Sequence, residues 1–192
     1  MVQKIMRKNM LTDPIFFDTD CISAFFWVDQ ENILQTLYHD RLVIPYETYS
    51  ELSKVLRLKS RADAMLASKQ IQLENILIGS PEFALFNELT NPQVGQKAIG
   101  SGEAACIALS YFYNGTLASN NMRDVAEFVK KFGLSHITTA SILKEALNQR
   151  LITEQQGNSV WTNMLSKRRK LPYSTFSEYL HNSLHPNTID SR

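Results

Sequence analysis

Short apolar segments alternate with helical patterns along this chain, and the alternation limits the fold more than any other feature. Five apolar segments have the length and composition of buried strands. They are PIFF (14–17), RLVI (41–44), IQLENILI (71–78), TLAS (116–119) and LSHIT (134–138). IQLENILI can be read as one strand or as a strand pair. Strands separated by helices favour an α/β fold in which a mostly parallel sheet is covered on both faces.

The helical segments are predicted from periodicity and from residues that favour helix ends. Pro45 suits the start of a helix through YETYSELSKVL (46–56), and a second, basic helix is expected near residues 60–68. In GSGEAACIALS, Ser101 is the expected cap of a helix that is apolar on most faces. We expect residues 1–150 to form the α/β domain and residues 151–192 a helical extension packed on it.

Composition and charge exclude several classes of protein. With 192 residues, 44% hydrophobic and 20% charged, the chain has the balance of a soluble globular domain. No uncharged stretch approaches the roughly 18 residues of a membrane span, and the basic start lacks a signal-peptide pattern. We therefore expect a cytoplasmic protein that does not bind membranes, with Cys21 and Cys106 as reduced core thiols. The net charge of +1 provides no global field for nucleic acid.

Two aspartates follow the first predicted strand inside an apolar run. Asp18 and Asp20 lie in PIFFDTDCISAFFWV, where the pattern indicates a buried backbone. An ionised carboxylate in such a place costs several kcal/mol or more unless it is paired, protonated or bound to a cation. Ligands of open α/β sheets bind beyond the carboxyl ends of the strands. Acids at this edge are therefore candidates for a functional site.

Two glutamates are further candidates. Glu51 lies at the border of an apolar arc that contains Tyr46, Tyr49, Leu52, Val55 and Leu56, so it either reaches the cleft or is a solvated margin residue. Glu103 lies in the first turn of its helix, where the helix dipole alone would favour a carboxylate. Because that helix is apolar on most faces, burial of Glu103 is the alternative.

Asn121 and Asp124 follow the fourth predicted strand and also allow two interpretations. Asn121 can cap the next helix, with Asp124 three residues later in an arrangement like a capping box. Alternatively, the amide and the carboxylate line the same cleft as Asp18. The two roles are compatible with each other.

Taken together, these motifs resemble the PIN domain family, in the branch with a GEA-type acidic helix. The matching stretches are FFDTD, VIPYETYSEL, SGEAACIAL and LASNNMRDVAEFVKKFGL, in that order, and the resemblance extends from Ile15 to about Leu180. It implies a three-layer α/β/α fold and metal-dependent nuclease activity, most often on RNA. Many members of the family are toxins of toxin–antitoxin pairs.

The resemblance places the family's acidic cluster on Asp18, Glu51 and Glu103. Where many members carry a further aspartate, this chain has Ser119-Asn120-Asn121, and Asp124 is the substitute one turn later. The predicted metal ligands are thus Asp18, Glu51, Glu103 and Asp124, with Asn121 completing the catalytic set.

Oxygen ligands of this kind suit Mg²⁺ or Mn²⁺. Carboxylates in one pocket repel each other, and a divalent cation offsets the repulsion. The four histidines and two cysteines lack ligand spacing, which argues against zinc.

Two basic runs are candidates for holding a nucleic acid. The first contains Lys54, Arg57, Lys59 and Arg61, and the second is Lys167-Arg168-Arg169-Lys170. Cations of this kind add salt-sensitive affinity for phosphates, although a solvated helix face is the alternative for each run. Phe25, Phe26 and Trp27 could stack on bases or bind an antitoxin, but core packing is the favoured interpretation. His136 is expected to be structural rather than a catalytic base.

Three functions remain open at this stage. The leading one is a Mg²⁺- or Mn²⁺-dependent endoribonuclease, with RNA as substrate and an antitoxin as a further partner. The second is a PIN-like protein with weakened or lost catalysis that binds nucleic acid or protein, and the third is an unrelated phosphatase with an acidic cleft. An isologous homodimer is a general expectation for oligomers.

Overall fold

Five short parallel strands form the centre of the computed structural model, which describes residues 12–92 and 98–184. The strands are β1 (Ile15–Phe17), β2 (Leu42–Pro45), β3 (Gln72–Glu74), β4 (Thr116–Ala118) and β5 (Ser135–Ile137). Their spatial order is β3-β2-β1-β4-β5, so β1 is the central strand. All four pairings are parallel. The predicted sheet is confirmed, and IQLENILI contributes one strand rather than two.

Helices cover both faces of this sheet. They are α1 (Thr19–Trp27), α2 (Glu31–Leu37), α3 (Tyr46–Leu52), α4 (Leu56–Ala67), α5 (Pro81–Thr90), α6 (Ser101–Tyr113), α7 (Met122–Phe132), α8 (Thr139–Asn148), α9 (Glu154–Ser166) and α10 (Phe176–Leu184). Residues of β1 separate two hydrophobic cores, because Ile15 and Phe17 point into one and Phe16 into the other. The architecture is the expected three-layer α/β/α fold.

Strand β1 is buried on both sides, which explains its unbroken apolar sequence. Ile15, Phe16 and Phe17 are each at most 1% exposed. Burial of each such side chain contributes about 1.5 to 3 kcal/mol. The packing fixes the end of β1 and, with it, the residue that follows.

The segment after β2 differs from the prediction of one continuous helix. Helix α3 ends at Leu52, and a turn closed by hydrogen bonds from Lys54 N to Glu51 O and from Val55 N to Leu52 O precedes α4. Val55 has an extended backbone, and Leu56 is 79% exposed. The predicted apolar arc is therefore wrong for these two residues. The turn reorients the chain so that Leu58, which is 5% exposed, contacts the core instead.

Helices α9 and α10 pack onto the α/β layers through large apolar side chains. Trp161 and Phe176 are fully buried in the same core cluster as Ile15, and their ring centroids are 5.7 Å apart. The Trp161 indole N–H donates to the backbone oxygen of Tyr173 at 3.0 Å, which joins the two helices. The division of the chain at residue 150 stays a prediction.

The α1 aromatic run is part of the protein core. Phe25 and Phe26 are completely buried, and Trp27 packs against the same cluster while partly exposed. Cys21 and Cys106 are buried free thiols, as expected. Within residues 12–92 and 98–184, no helix has the length and apolar character needed to cross a bilayer.

Gly157 provides a test of how α9 and α10 are joined. A methyl group at this position would lie 2.4 Å from two ring atoms of Phe176, which is fully buried. We expect Gly157→Ala to lower the free energy of unfolding by about 1 to 3 kcal/mol, because overpacking outweighs the gain in helix propensity. Urea denaturation followed by circular dichroism measures the change. Ser159→Ala, at an exposed position of α9, is the control, and equal stability of the two variants would contradict the expectation.

Candidate functional site

A pocket of about 250 Å³ opens beyond the carboxyl end of β1. Its lining includes the three acids that the sequence singled out: Asp18, Glu51 and Glu103. They come from the start of α1, the last turn of α3 and the first turn of α6. Thr19, Asp20 and Gly102 complete most of the wall. Side chains that are far apart in sequence thus face one pocket at the edge where ligands of parallel sheets bind.

Asp18 is the most deeply buried acid in this pocket, with 1% of its surface exposed. It is the N-cap of α1, where its Oδ1 accepts a hydrogen bond of 2.7 Å from the backbone N–H of Cys21. Its Oδ2 is buried and has no hydrogen-bond partner within the described residues. A buried oxygen of this kind is costly unless something else binds it. A further ligand of Oδ2 would offset this cost.

The environment of Asp18 opposes its ionisation. Burial raises its pKa to about 7, and the charges of Asp20 and Glu103 act in the same direction. The Ser119 side chain and the Cys21 backbone N–H lower the pKa but do not cancel the effect of burial. Near neutral pH the carboxyl group is close to half protonated when no cation is bound.

Glu51 is held in place by small residues that contact its carboxylate. Thr19 donates its hydroxyl to Glu51 Oε2 at 2.5 Å, and the Ser101 hydroxyl lies 3.5 Å from Glu51 Oε1. A methyl group at Gly102 would lie 3.3 Å from Oε1, so the absence of a side chain there makes room for the carboxylate. Ser101 is the first residue of α6 and not its cap, because Gly100 occupies the N-cap position. The expected capping role of Ser101 is wrong.

Glu103 is tied to the segment after β4 through Asn121. The Asn121 amide donates to Glu103 Oε1 at 2.7 Å and to Asp124 Oδ2 at 2.8 Å. Asn121 occupies the N-cap position of α7, but its side chain makes no capping hydrogen bond. The amide thus connects two acids instead of capping the helix. Asp124 lies beside this pair and is not among the residues that line the pocket.

Burial raises the pKa of Glu103 above its ordinary value, and the negative charge of Asp124 adds to the shift. The hydrogen bond from Asn121 opposes it. An aspartate at position 121 would replace this donor by a third carboxylate and would increase the repulsion. The asparagine therefore keeps Glu103 and Asp124 close together without a bound cation.

Two polar residues near the pocket have structural roles. Asn120 accepts from the backbone N–H of Thr139 at 2.8 Å and donates to the Thr139 hydroxyl at 2.8 Å, which fixes the start of α8 to the end of β4. His136 Nε2 lies 2.8 Å from the backbone oxygen of Ser119, and burial lowers the pKa of the imidazole. Both observations agree with a structural role for His136.

The donors around the pocket fit a hard divalent cation by their chemistry. Carboxylate oxygens are the ligands that Mg²⁺ and Mn²⁺ prefer, and four carboxylate side chains line the pocket: Asp18, Asp20, Glu51 and Glu103. In the described part of the chain, no three histidine, cysteine, aspartate or glutamate side chains are grouped closely enough to form a ligand cluster. The pocket therefore gathers the acids without arranging them as a finished coordination shell.

Among the described residues, three of the four cations in the first basic run, all except Lys54, pair with neighbouring acids. Arg57 forms an ion pair of 2.8 Å with Asp29, and Lys59 pairs with Asp63 on the same helix. Arg61 pairs with both Asp29 and Glu31. These contacts tie α4 to the loop before α2. They support the structural alternative for this run.

The second basic run lies beside the acidic pocket. A groove of about 310 Å³ is lined by Asp20, Asn120, Asn121 and the three cations Arg168, Arg169 and Lys170. Asp20 also lines the acidic pocket, and the Arg169 guanidinium lies 3.8 Å from it. The loop after α9 thus brings positive charge to the border of the acidic site.

Thr19 and Gly102 were not identified from the sequence, although both contact Glu51 directly. The hydroxyl between the two acids of DTD and the glycine between Ser101 and Glu103 are the only local signals. Neither indicates which side chain it contacts, because Glu51 is 32 residues away from Thr19. Tertiary structure is needed to assign these positions.

The raised pKa of Asp18 predicts a pH-dependent stability in the metal-free protein. Asp18 in the folded state binds a proton with a pKa of about 7, whereas the ordinary pKa of an aspartate is 3.8, so the extra stability is fully present below about pH 4. It is lost as the pH rises from about 4 through 7, and the change is on the order of a few kcal/mol. Asp18→Asn should remove most of this dependence, because asparagine keeps the N-cap and does not titrate.

Thermal denaturation in the presence of a chelator, between pH 4 and pH 8, measures this effect. Asp40→Asn is the matched control, because Asp40 is an exposed surface acid with a left-handed backbone that asparagine accepts. Parallel pH profiles of the wild type and Asp18→Asn would contradict the assignment.

Comparison with known families supports the fold. No curated protein matches the sequence. A family model described as a PIN domain matches residues 14–183, which is most of the chain. That range contains the whole parallel sheet, the acidic pocket and the basic loop after α9. The chain therefore belongs to the PIN domain family and has a nuclease-type fold.

Proposed function

We propose that the protein is a metal-dependent endoribonuclease that hydrolyses phosphodiester bonds of RNA. The observation that carries the proposal is the buried Asp18 Oδ2, which lacks a hydrogen-bond partner within the described residues and belongs to a side chain that lines the same pocket as Glu51 and Glu103. A carboxylate in this position has no structural need for its second oxygen to stay free. Binding of a cation would offset the free-energy cost of burying this oxygen without a partner.

Asp18 is the expected central ligand, because α1 and the central strand fix its position. Glu103 is its partner, Glu51 is a second ligand or orients the water, and Asp124 is the outermost of the four acids. When bound, Mg²⁺ or Mn²⁺ supplies an activated water and neutralises the charge that develops on the phosphodiester. Thr19 orients Glu51, and Asn121 orients Glu103, so each carboxylate presents a defined oxygen.

The choice of RNA and the biological role rest on the family. PIN domains have a nuclease-type fold, and the motifs of this chain resemble the branch that acts mostly on RNA. A role as the toxin of a toxin–antitoxin pair, with a cognate antitoxin as partner, is a narrower prediction from the same resemblance. The homodimer and the cytoplasmic location are likewise predictions.

Cleavage by the purified protein tests the proposal. We expect RNA to be cut at internal bonds when Mn²⁺ or Mg²⁺ is added, and cleavage to stop in the presence of a chelator. Asp18→Asn should reduce the rate by more than about 100-fold, because loss of a ligand costs more than loss of a residue that only orients one. Gel electrophoresis of an end-labelled RNA provides the rate.

Asp40→Asn removes one carboxylate far from the pocket and should retain full activity. Cleavage without metal, or unaltered cleavage by Asp18→Asn, would reject the proposal. Turnover of a simple phosphomonoester with RNA left intact would favour the phosphatase alternative.

A second candidate function is favoured by Asn121. Its amide occupies the place where many PIN domains have an aspartate, and its hydrogen bonds hold Glu103 and Asp124 together without a cation. In a site stabilised in this way, the closeness of the two acids depends less on a bound metal ion. In this alternative the protein has weakened or lost catalysis and acts by binding nucleic acid or protein.

Asn121→Asp separates the two candidates. If the protein is an active enzyme, the wild type should bind Mn²⁺, and the added charge of Asn121→Asp should strengthen this binding. Without metal, Asn121→Asp should be less stable than the wild type, because three carboxylates then repel each other. Isothermal titration calorimetry with Mn²⁺ measures the affinity. A wild type without detectable binding, together with binding by Asn121→Asp, would identify the inactive form.

A further inference from the structure

Three pockets adjoin one another along the carboxyl edge of the sheet. The acidic pocket shares Asp20 with the basic groove of about 310 Å³. The basic groove in turn shares Asn120 and Lys170 with a third pocket of about 320 Å³. Because neighbouring pockets share lining residues, they lie side by side along this edge, and we call this series of pockets, which begins at the acids, the track.

The chemistry of the track changes from one end to the other. After the acids comes the groove with Arg168, Arg169 and Lys170. The third pocket has apolar walls from Met122, Ala140, Leu171 and Pro172, and Met122 is 43% exposed. Acidic, basic and apolar parts therefore follow one another in that order.

The cations of the groove differ from those of the first basic run. Arg57, Lys59 and Arg61 are all engaged in ion pairs at 2.9 Å or less. In the described part of the chain, no ion pair is present for Arg168 or Lys170, and the one that Arg169 forms is long, at 3.8 Å. The loop after α9 thus brings cations without a close acidic partner among the described residues to the border of the acidic pocket, where they are available to a phosphate.

We propose that segment 167–172 binds the nucleotide next to the scissile bond, with its phosphate on Arg168 and Lys170 and its base in the Met122 pocket. The assignment rests on the proposed function for the position of the scissile bond. Anionic phosphates and flat bases alternate along a nucleic acid strand. The basic groove offers a site for one phosphate, and the adjoining apolar pocket offers a site for one base. Methionine and proline side chains give such a base a polarisable, apolar surface.

The assignment implies a preference for unpaired nucleotides. A base enters the apolar pocket only when its face is free, and the bases of a duplex are stacked on one another. Single strands, loops and bulges should therefore bind in preference to a duplex of the same sequence.

Arg168→Gly is a sharp test, because it removes the charge without harming the backbone. Arg168 follows the end of α9 with φ +59°, and the hydrogen bonds from Arg168 N to Leu165 O and from Arg169 N to Met164 O close the turn. Glycine is the residue most favoured at such a helix end, so the variant should fold at least as well as the wild type.

Arg150→Gly is the matched control. Arg150 follows the end of α8 with the same φ of +59° and the equivalent pair of hydrogen bonds, and it does not line the track. The two variants lose the same charge from the same backbone geometry, and only one loses it beside the acidic pocket.

The measurement is fluorescence anisotropy with a labelled single-stranded oligouridylate, on an Asp18→Asn background with chelator so that no cleavage occurs. Arg168→Gly should weaken binding several-fold at low salt and reduce the salt slope by about 1, whereas Arg150→Gly should leave both unchanged. A deoxyribose strand and an RNA duplex of equal length show whether the sugar and the pairing matter. Equal effects of the two glycine variants, or equal binding of duplex and single strand, would overturn the assignment.

The base pocket has a separate test. Met122→Ala should weaken binding of the oligouridylate roughly two- to tenfold and should not change binding of an abasic strand of the same length. Leu56→Ala, which shortens an exposed apolar side chain outside the track, is the control. Equal losses for both strands would reject the base pocket.

Failure of the proposed function is distinguishable from failure of this inference. Binding that depends on Arg168 in a protein that never cleaves RNA would reject the nuclease and retain the nucleotide site. Cleavage that needs Asp18 and metal but is unchanged by substitution of Arg168 or Met122 would retain the nuclease and reject the nucleotide site.

Discussion

The site depends on one buried carboxylate at the end of the central strand. Both faces of β1 are packed, which fixes the strand end that Asp18 follows, and Asp18 Oδ1 accepts a hydrogen bond from the first turn of α1. The second oxygen is buried without a partner in the described structure, and burial raises the pKa of the group to about 7. A fold that only needed a helix cap could use serine or threonine at this position at lower cost. The retained charge is therefore best explained by what the pocket binds.

Much of the fold could be predicted from the sequence, because the parallel strands are buried on both faces and appear as unbroken apolar runs. The break between α3 and α4 could not. Local pattern favours a helix that continues through Val55 and Leu56, whereas the observed turn buries Leu58 against the core and leaves Leu56 exposed. Which of two nearby leucines is buried depends on the packing of distant elements, and hydrophobic periodicity within one segment does not contain that information.

The acids of the site could be predicted from their positions in the sequence, whereas the contacts that hold their side chains in place could not. Glu103 was identified in the first turn of a helix that is apolar on most faces, whereas Asp18 and Glu51 follow the first two strands, where ligands of parallel sheets bind. Asn121 was found for the same reason, but its hydrogen bonds to Glu103 and Asp124 replace the capping role that local sequence suggests. Likewise, Arg57 and Arg61 are paired with an aspartate 28 and 32 residues earlier, which no local pattern indicates.

The placement of charge links the C-terminal helices to the site. A net charge of +1 gives the protein no overall attraction for a polyanion, so any such attraction must be local. The loop after α9 brings Arg168, Arg169 and Lys170 to a groove that shares Asp20 with the acidic pocket. Its position is set by hydrophobic packing, because Trp161 anchors α9 in the same core that supports β1. The acids would repel a phosphate that approached them alone, and cations held beside them by the core reduce that repulsion without neutralising the acids. Helix α9 therefore determines the charge beside the pocket through the loop at its end, although it contributes no acid to the pocket.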